Sequence, residues 1–336
     1  MAVTNGTSDK PRIVLGLMTF GPPGSEKFGT RITSIDDYKE CLAYFKDHGY
    51  SEIDTARTYV DGLQEGWTKK AEWQERGLSL ATKWYPFNAG DHAAQTIKQN
   101  LEKSLAELGS DKVDIFYLHA PDRATPFKES LQACNELYEA GKFNRLGLSN
   151  YAAWEVAHIC TIAEENNWVR PSVYQAMYNA LTRAIEEELV PCCQKFGLNI
   201  IAYNPLAGGV LSGKYKSKKD APQDGRFSNV DPIVGQMYRD RFFRDGNFEA
   251  LRLLEPLAQK HDLTLPEIAF RWSVHHSKLK IANGGGDGLV IGISSLKQLQ
   301  ANLIDLEKGP LPDDVVKALD ECWKSHTKVS CPLYWR

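Results

Sequence analysis

The stretch Ala93–Leu118 reads AAQTIKQNLEKSLAELGSDKVDIFYL and contains the unit from which the fold is built. Its first part repeats apolar residues at the three- and four-residue spacing of a helix with one buried face. Gly109 follows, and glycine is the residue that most often ends a helix. The β-branched and aromatic run Val113–Leu118 then predicts a short buried strand. We therefore expect a helix, a tight connection and one strand of a parallel sheet.

The same alternation of strand and helix continues along the chain in both directions. The eight predicted strands are Arg12–Leu17, Ser51–Ile53, Ser79–Lys83, Val113–Leu118, Asn144–Leu148, Ser172–Gln175, Asn199–Tyr203 and Leu289–Ile293. The predicted helices are Ser34–His48, Ala93–Leu108, Pro126–Ala140, Tyr151–Asn166, Ala184–Phe196, Phe248–His261 and Pro266–His275. Strict alternation indicates a parallel sheet, and eight units favour closure into a (β/α)₈ TIM barrel. An open, doubly wound sheet is the alternative.

One connection, Pro205–Asn247, interrupts this pattern because it is rich in glycine and charged residues and has little apolar periodicity. A loop of this length inside a compact domain is usually a lid or a binding element. We expect residues 1–336 to form one domain, since no internal repeat or low-complexity linker occurs, and we expect residues 1–11 to be flexible.

Composition limits the classes of partner. The net charge is −3 and no basic block occurs, so a nucleic-acid partner is not expected. The polar segment Met1–Lys10 and the absence of any run of 18 apolar residues predict neither a secretory signal nor a membrane span, and hence a cytoplasmic protein. The seven cysteines lack C-x-x-C spacing, which indicates reduced thiols and neither disulfides nor a metal site.

Reactive side chains are concentrated at the predicted strand ends, where barrels of this type place their active sites. Asp54 and Tyr59 follow strand two, Lys83 ends strand three and His119 follows strand four. A lysine or an aspartate is costly to bury at the end of an apolar strand unless the two are paired. We therefore expect the four side chains to meet at one rim.

These four residues suit the reduction of a carbonyl group. Addition of hydride to a carbonyl leaves an alkoxide that must receive a proton, and Tyr59 can donate it. A free phenol has a pKa of about 10, and we expect the Lys83 ammonium, held by Asp54, to lower it. His119 can donate a hydrogen bond to the carbonyl oxygen and orient the substrate.

The motif Asp54–Tyr59 (DTARTY), Lys83 and the motif Leu118–Asp122 (LHAPD) resemble the signatures of the aldo-keto reductase superfamily, in the same order. The resemblance covers roughly Val14–Arg336. It implies a (β/α)₈ barrel, a catalytic Asp-Tyr-Lys-His tetrad and a nicotinamide cofactor bound without a Rossmann domain. The sequence agrees, because no G-x-G-x-x-G motif stands between a first strand and a helix.

The resemblance also implies cofactor positions. It places Met18 in the nicotinamide pocket, Ser149, Asn150 and Gln175 on the carboxamide, and Tyr203 on the face of the ring. The other implied cofactor residues are Asp54, Asn204, Pro205, Leu206, Gly208, Lys214, Arg226, Gly292, Ser294, Gln298 and Asn302. Of these, Lys214 and Arg226 would serve as cations for phosphate.

The choice between the two nicotinamide cofactors depends on the end of strand eight. Many family members carry a lysine there that binds the 2′-phosphate, whereas this chain reads Gly292-Ile293-Ser294. We expect NADPH in preference to NADH, with Ser294, Ser295 and Lys297 compensating for the missing lysine.

Three further segments resemble the aflatoxin-aldehyde and succinic-semialdehyde reductase subfamily: Asn204–Gly209 (NPLAGG), Tyr238–Phe242 (YRDRF) and Cys331–Arg336 (CPLYWR). The resemblance implies that the C-terminal tail covers the active site. It also implies that Arg241 and Arg336 bind an acidic aldehyde, whose carbonyl Tyr59 and His119 contact. Arg239 lies two residues from Arg241 and competes with it for this role. The substrates expected on this basis are aldehydes with a carboxylate, such as succinic semialdehyde, together with dicarbonyls such as aflatoxin dialdehyde and ketones. The resemblance further implies homodimers.

Two other functions remain open at this point. Potassium-channel β subunits resemble the same family and use the barrel mainly as a redox-sensing regulatory partner, and they can keep the tetrad. A barrel hydrolase is a more distant alternative, because the predicted rim carries neither paired carboxylates nor a metal-ligand set.

Overall fold

The computed structural model describes residues 10–220, 225–230 and 232–336. Eight parallel strands form a closed barrel in chain order, and β1 pairs with both β2 and β8, which excludes the open sheet. The strands are β1 Ile13–Gly16, β2 Glu52–Asp54, β3 Ser79–Trp84, β4 Val113–Leu118, β5 Phe143–Ser149, β6 Pro171–Met177, β7 Asn199–Tyr203 and β8 Gly288–Gly292. The predicted (β/α)₈ architecture is confirmed.

Helices surround the barrel. They are α1 Ile35–Asp47, α2 Gln64–Lys70, α3 Ala94–Leu108, α4 Phe127–Glu139, α5 Ala153–Glu165, α6 Leu189–Phe196, α7 Pro232–Phe242, α8 Asp245–Lys260, α9 Leu265–His275, α10 Leu296–Leu306 and α11 Asp313–Cys322. Across the described ranges, no helix is both long and apolar enough to cross a membrane. Of the segment 1–11 expected to be flexible, residues 1–9 lie outside the described part of the chain.

The barrel interior is filled by side chains and is closed below the site. Tyr117 packs there with Val14, Ile115, Val173 and other buried apolar residues. Its ring requires glycine at the neighbouring position of β5, because a Cβ at Gly147 would lie 2.3 Å from Tyr117 Cδ1. The packed interior leaves only the carboxyl ends of the strands for a ligand.

Four of the described helices were not among those predicted: α2, α7, α10 and α11. Helix α2 buries the polar residues Gln64, Glu65 and Thr68, so it has no apolar stripe to reveal it. Helix α7 lies inside the segment 205–247 that we expected to be a loop, and that expectation was wrong for residues 232–242. Its buried residues are only Gly235, Tyr238 and Phe242, which is too few for a clear helical period in the sequence.

Candidate active site

Asp54, Tyr59 and Lys83 meet at the carboxyl end of the barrel. The Lys83 ammonium donates to Asp54 Oδ2 at 2.5 Å, to the backbone oxygen of Thr55 at 2.7 Å and to the Tyr59 hydroxyl at 3.2 Å. Gln175 Nε2 donates to the second oxygen of Asp54 at 3.0 Å. The ammonium and the carboxylate are both buried, and each is satisfied by more than one partner.

The strands and one short turn bring these groups together. Asp54 ends β2 and pairs in register with Ala81 of β3, two residues before Lys83. Tyr59 begins a short 3₁₀ turn, Tyr59–Gly62, in which Val60 and Asp61 adopt left-handed backbone conformations. Such conformations are unusual for residues other than glycine, and they hold the Tyr59 side chain at the rim.

Burial and the neighbouring charges shift the pKa values of Lys83 and Tyr59. Burial acts to lower the pKa of Lys83, but Asp54 and Tyr59 together outweigh it and the pKa is raised, so the ammonium remains charged. Burial raises the pKa of Tyr59, and Lys83 opposes this rise without overcoming it. The sequence-based expectation of a lowered phenol pKa was therefore wrong in direction, since the cost of desolvating the phenolate exceeds the attraction of one cation.

His119 completes the group. Its ring lies edge-on to the ring of Tyr59, with centroids 6.1 Å apart. Burial first, and then the charges of Lys83 and Arg336, lower its pKa well below the usual value, so the imidazole is neutral. Its Nδ1 atom is buried and has no hydrogen-bond partner in the described part of the protein. His119 therefore offers a neutral ring with unused hydrogen-bonding capacity beside the phenol.

The residues at the ends of β5, β6 and β7 form one hydrogen-bonded network beside the tetrad. Ser149 Oγ donates to the Gln175 backbone oxygen at 3.0 Å, and Tyr203 Oη donates to Asn150 Oδ1 at 3.0 Å. Asn150 Nδ2 donates to the His119 backbone oxygen at 2.7 Å. The network joins the four predicted carboxamide and ring positions to both Asp54 and His119.

The segment after β7 folds back over this end of the barrel. Pro205 and Leu206 lead into a 3₁₀ turn, Ala207–Ser212. Gly208 has a φ of 68°, and a Cβ there would lie 2.8 Å from atoms of Tyr238 and Phe242, so α7 packs directly on this turn. Asn204 Nδ2 is buried without a partner in the described residues.

The two predicted phosphate cations differ in their surroundings. The Arg226 side chain lies over the Tyr238 ring and reaches the β1–α1 connection, where a Cβ at Gly29 would lie 3.4 Å from its Nη1. That Nη1 is buried and finds no acceptor among the described residues. Lys214 is exposed.

The segment after β8 begins α10 at the same rim. Gly292 and Ser294 are exposed, and Gln298 Oε1 accepts from the Ser294 backbone nitrogen at 2.7 Å. Asn302 is buried, and its Nδ2 has no partner in the described ranges. Met18 is half-buried after β1, next to Thr19, whose hydroxyl donates to the Ile293 oxygen at 2.6 Å.

Two arginines lie at the mouth of the site. Arg241 lines an open cavity of about 640 Å³ together with Met237 and Pro332. Arg336 donates from Nη1 to the Tyr85 hydroxyl at 3.0 Å. Burial raises the pKa of Tyr203, and the charges of Arg241 and Arg336 oppose this rise, so both guanidinium groups lie near Tyr203. Arg239 points elsewhere, since its Nη1 donates to the Phe227 oxygen at 2.5 Å.

Sequence reasoning missed Tyr85 and the Thr55 carbonyl. The Tyr85 ring lies edge-on to His119 with centroids 5.5 Å apart, and it contacts the Arg336 guanidinium. The aromatic run Trp84-Tyr85-Pro86-Phe87 directly after β3 was the available signal. The Thr55 carbonyl carries no sequence signal, because every residue has one.

Comparison with known proteins agrees with this geometry. The sequence model of the Aldo/keto reductase family matches residues 12–324. The chain is 42% identical to the mouse protein named aflatoxin B1 aldehyde reductase member 2, over 99% of this chain and 89% of that protein. It is 41% identical to the human protein named aflatoxin B1 aldehyde reductase member 4, over 97% of each chain. An aldo-keto reductase of Pseudocercospora fijiensis is 44% identical over 88% of this chain and 99% of its own length. The chain therefore belongs to the aldo/keto reductase family of oxidoreductases.

Proposed function

We propose that this protein reduces aldehydes to alcohols with NADPH and favours aldehydes that carry a carboxylate. The observation that carries the proposal is the Tyr59 hydroxyl at 3.2 Å from a buried, charged Lys83 and beside a neutral His119. A protonated phenol, a cation that stabilises its anion and a neutral hydrogen-bond donor are what the proton-transfer half of a carbonyl reduction needs.

The residues around the tetrad fit a dinucleotide. Buried donors without partners in the described ranges, Asn204 Nδ2, Arg226 Nη1 and Asn302 Nδ2, suit a ligand rich in acceptor oxygens. Ser149, Asn150, Gln175 and Tyr203 would hold the nicotinamide end. Gly208 and Lys214 would contact the pyrophosphate, and Gly292, Ser294 and Gln298 would contact the adenosine end. When bound, the reduced cofactor supplies the hydride.

Positive charge at the start of α10 favours NADPH over NADH. Helix α10 begins at Leu296 with its N-terminus at the rim, and a helix N-terminus attracts phosphate. Lys297 is exposed in its first turn, and no Asp or Glu of the described residues forms an ion pair with it. This cation would meet a 2′-phosphate and has no counterpart to meet in NADH.

The chemistry of the chain's own residues follows from their protonation. Tyr59 keeps its proton until negative charge develops on the substrate oxygen and then donates it. Lys83 stays protonated, because Asp54 holds its charge, and it stabilises the phenolate that Tyr59 becomes. His119 donates a hydrogen bond to the same oxygen, since a neutral imidazole carries one N–H donor.

The two arginines at the mouth of the site select the substrate. No Asp or Glu among the described residues forms an ion pair with Arg241 or Arg336, so both charges are available to a ligand. A guanidinium group binds a carboxylate through two parallel hydrogen bonds.

We also infer that residues 1–336 act as one domain, that the protein is cytoplasmic and that it forms homodimers.

The test is the loss of absorbance at the reduced-nicotinamide band when the purified protein is mixed with a panel of aldehydes, each with NADPH and with NADH. We expect turnover with NADPH. At low aldehyde concentrations, succinic semialdehyde should be reduced faster than the other aldehydes of the panel. Cofactor binding without turnover of any aldehyde would favour the regulatory alternative instead.

A further inference from the structure

The Arg336 side chain is held in place by uncharged groups. The tail before it is fastened: Tyr334 Oη accepts from the Ala153 backbone nitrogen at 3.1 Å, and the Arg336 backbone nitrogen donates to the Asn150 oxygen at 3.0 Å. The guanidinium group then extends to the Tyr85 hydroxyl at 3.0 Å and to Met237 Sδ at 3.5 Å.

Tyr85 connects this guanidinium group to the tetrad. Its ring lies at 87° to the His119 ring with centroids 5.5 Å apart, and its other neighbour is the exposed ring of Phe87 at 5.1 Å. The Arg336 guanidinium carbon lies 5.6 Å from the Tyr85 ring centroid. One aromatic side chain therefore contacts both the Arg336 guanidinium group and the imidazole of His119.

A phenol hydroxyl holds an arginine without neutralising it. An Asp or Glu in the place of Tyr85 would form an ion pair with Arg336 and neutralise its charge. A neutral acceptor leaves that positive charge free to bind a ligand. The hydroxyl also has a proton of its own, and no described residue accepts it. A carboxylate that meets Arg336 can accept this second hydrogen bond.

We propose that Tyr85 belongs to the carboxylate-binding site of Arg241 and Arg336, where it positions the Arg336 guanidinium group and donates a hydrogen bond to the bound carboxylate. This rests on the proposed function, because it names the group that sets the substrate class of the same site. It predicts that the hydroxyl of Tyr85 selects for the charge of an aldehyde and for the distance between its carboxylate and its carbonyl.

The experiment compares the wild-type protein with Tyr85→Phe and Arg336→Ala. Each is assayed with succinic semialdehyde, with the longer 6-oxohexanoate and with uncharged butanal. Because a hydrogen bond to a charged group contributes at least about 1.5 kcal/mol, Tyr85→Phe should raise KM for succinic semialdehyde at least about tenfold. Its kcat, and both constants for butanal, should stay near wild type, since the ring beside His119 remains. The KM values of succinic semialdehyde and 6-oxohexanoate should become more nearly equal, because the hydroxyl that selects for chain length is gone.

A second readout does not depend on turnover. Isothermal titration calorimetry of succinate into the NADP-saturated protein should show about tenfold weaker binding in Tyr85→Phe. Tyr50→Phe is the matched control, because the Tyr50 hydroxyl also bonds a charged group, Glu307, but lies just before β2 at the opposite end of the barrel. It should match wild type throughout.

The outcomes separate the two proposals. If Arg336→Ala weakens succinate binding and Tyr85→Phe does not, Tyr85 has no part in the carboxylate site. If Tyr85→Phe raises KM equally for butanal, the hydroxyl acts on the pocket as a whole, which also overturns the inference. If both variants weaken succinate binding while no aldehyde is reduced, the carboxylate site stands and the reductase proposal fails.

Discussion

The Asp54–Lys83 pair and the Arg57–Glu65 pair are both buried at the same end of the barrel, yet their surroundings differ. Arg57 Nη1 contacts Glu65 and lies 2.9 Å from Glu107 Oε2, and Thr82 Oγ1 donates to Glu65 Oε1 at 2.6 Å. These partners all belong to the protein scaffold. Lys83, by contrast, donates one of its hydrogen bonds to the hydroxyl of Tyr59, which is one of the proposed catalytic groups.

The two ion pairs differ in whether hydrogen-bonding groups beside them remain available to a ligand. A buried ion pair gains little net stability, because desolvation offsets the attraction, but removing one partner is costly. The Arg57–Glu65 pair ties α2 to the barrel and has no role left for a ligand. The Asp54–Lys83 pair carries a phenol and adjoins an imidazole with unused hydrogen-bonding capacity. The first two of the four predictions that follow test this division between a structural and a chemical ion pair, and the other two extend it to buried groups without a charged partner.

The largest effect is expected for Tyr59→Phe. Loss of a general acid lowers rate by about 10²- to 10⁴-fold, and kcat for succinic semialdehyde should fall by that amount. Thermal stability and the dissociation constant for NADPH should change little, since the ring remains. Steady-state kinetics and fluorescence titration measure the two quantities. A variant that retains most of its turnover would show that another acid protonates the alkoxide.

Arg57→Met should act on stability instead. Burial raises the pKa of Glu65 and Arg57 opposes the rise, so the variant leaves a buried carboxyl without its cation. The expected loss is about 3–5 kcal/mol in the free energy of unfolding. Urea denaturation measures it, and kcat of the protein that remains folded should stay near wild type. If Arg57→Met lost turnover while its free energy of unfolding stayed unchanged, the Arg57–Glu65 pair would have a chemical role as well, and the proposed difference between the two pairs would be wrong.

A buried base without a paired charge should make stability depend on pH. Burial lowers the pKa of His92 to about 4, and its Nε2 has no described partner, although Asp122 and Asp91 lie near. Between pH about 6.5 and 4 the unfolded chain binds the proton and the folded protein does not, so stability falls as the pH falls. The contribution is about 3 kcal/mol over that range.

Urea denaturation at pH 7, 6, 5 and 4.5 should therefore show a flatter decline in stability for His92→Gln than for wild type. Subtracting the two curves removes the contributions of the other titrating groups, which the two proteins share. Parallel curves would mean that His92 does not control this dependence.

The smallest effect is expected for Arg226→Ala. Its buried Nη1 has no acceptor among the described residues, unlike the saturated guanidinium group of Arg57. The dissociation constant for NADPH should rise about tenfold, because one hydrogen bond to a charged ligand group is lost. The free energy of unfolding of the apo protein should not fall. If the variant lost stability but kept its affinity for NADPH, Arg226 would have a structural role, as Arg57 does, and would not bind the cofactor.

Much of the fold could be predicted, and the exceptions have a physical cause. Strands such as Val113–Leu118 and Asn199–Tyr203 match the structure at both ends, because a short apolar run between turn residues is a local signal. Helix α2 was missed because its buried face is polar. Helix α7 was missed because it packs on the turn at Gly208 through few apolar residues.

Sequence alone was sufficient for the order of the eight strands and for the arrival of Asp54, Tyr59, Lys83 and His119 at one rim, since both follow from patterns among neighbouring residues. Tertiary structure decided which charges are saturated and which are open. Those partners come from distant parts of the chain, as Arg336 and Tyr85 do at a separation of 251 residues. It also decided the direction of the Tyr59 pKa, because the cost of burial depends on everything packed around the phenol.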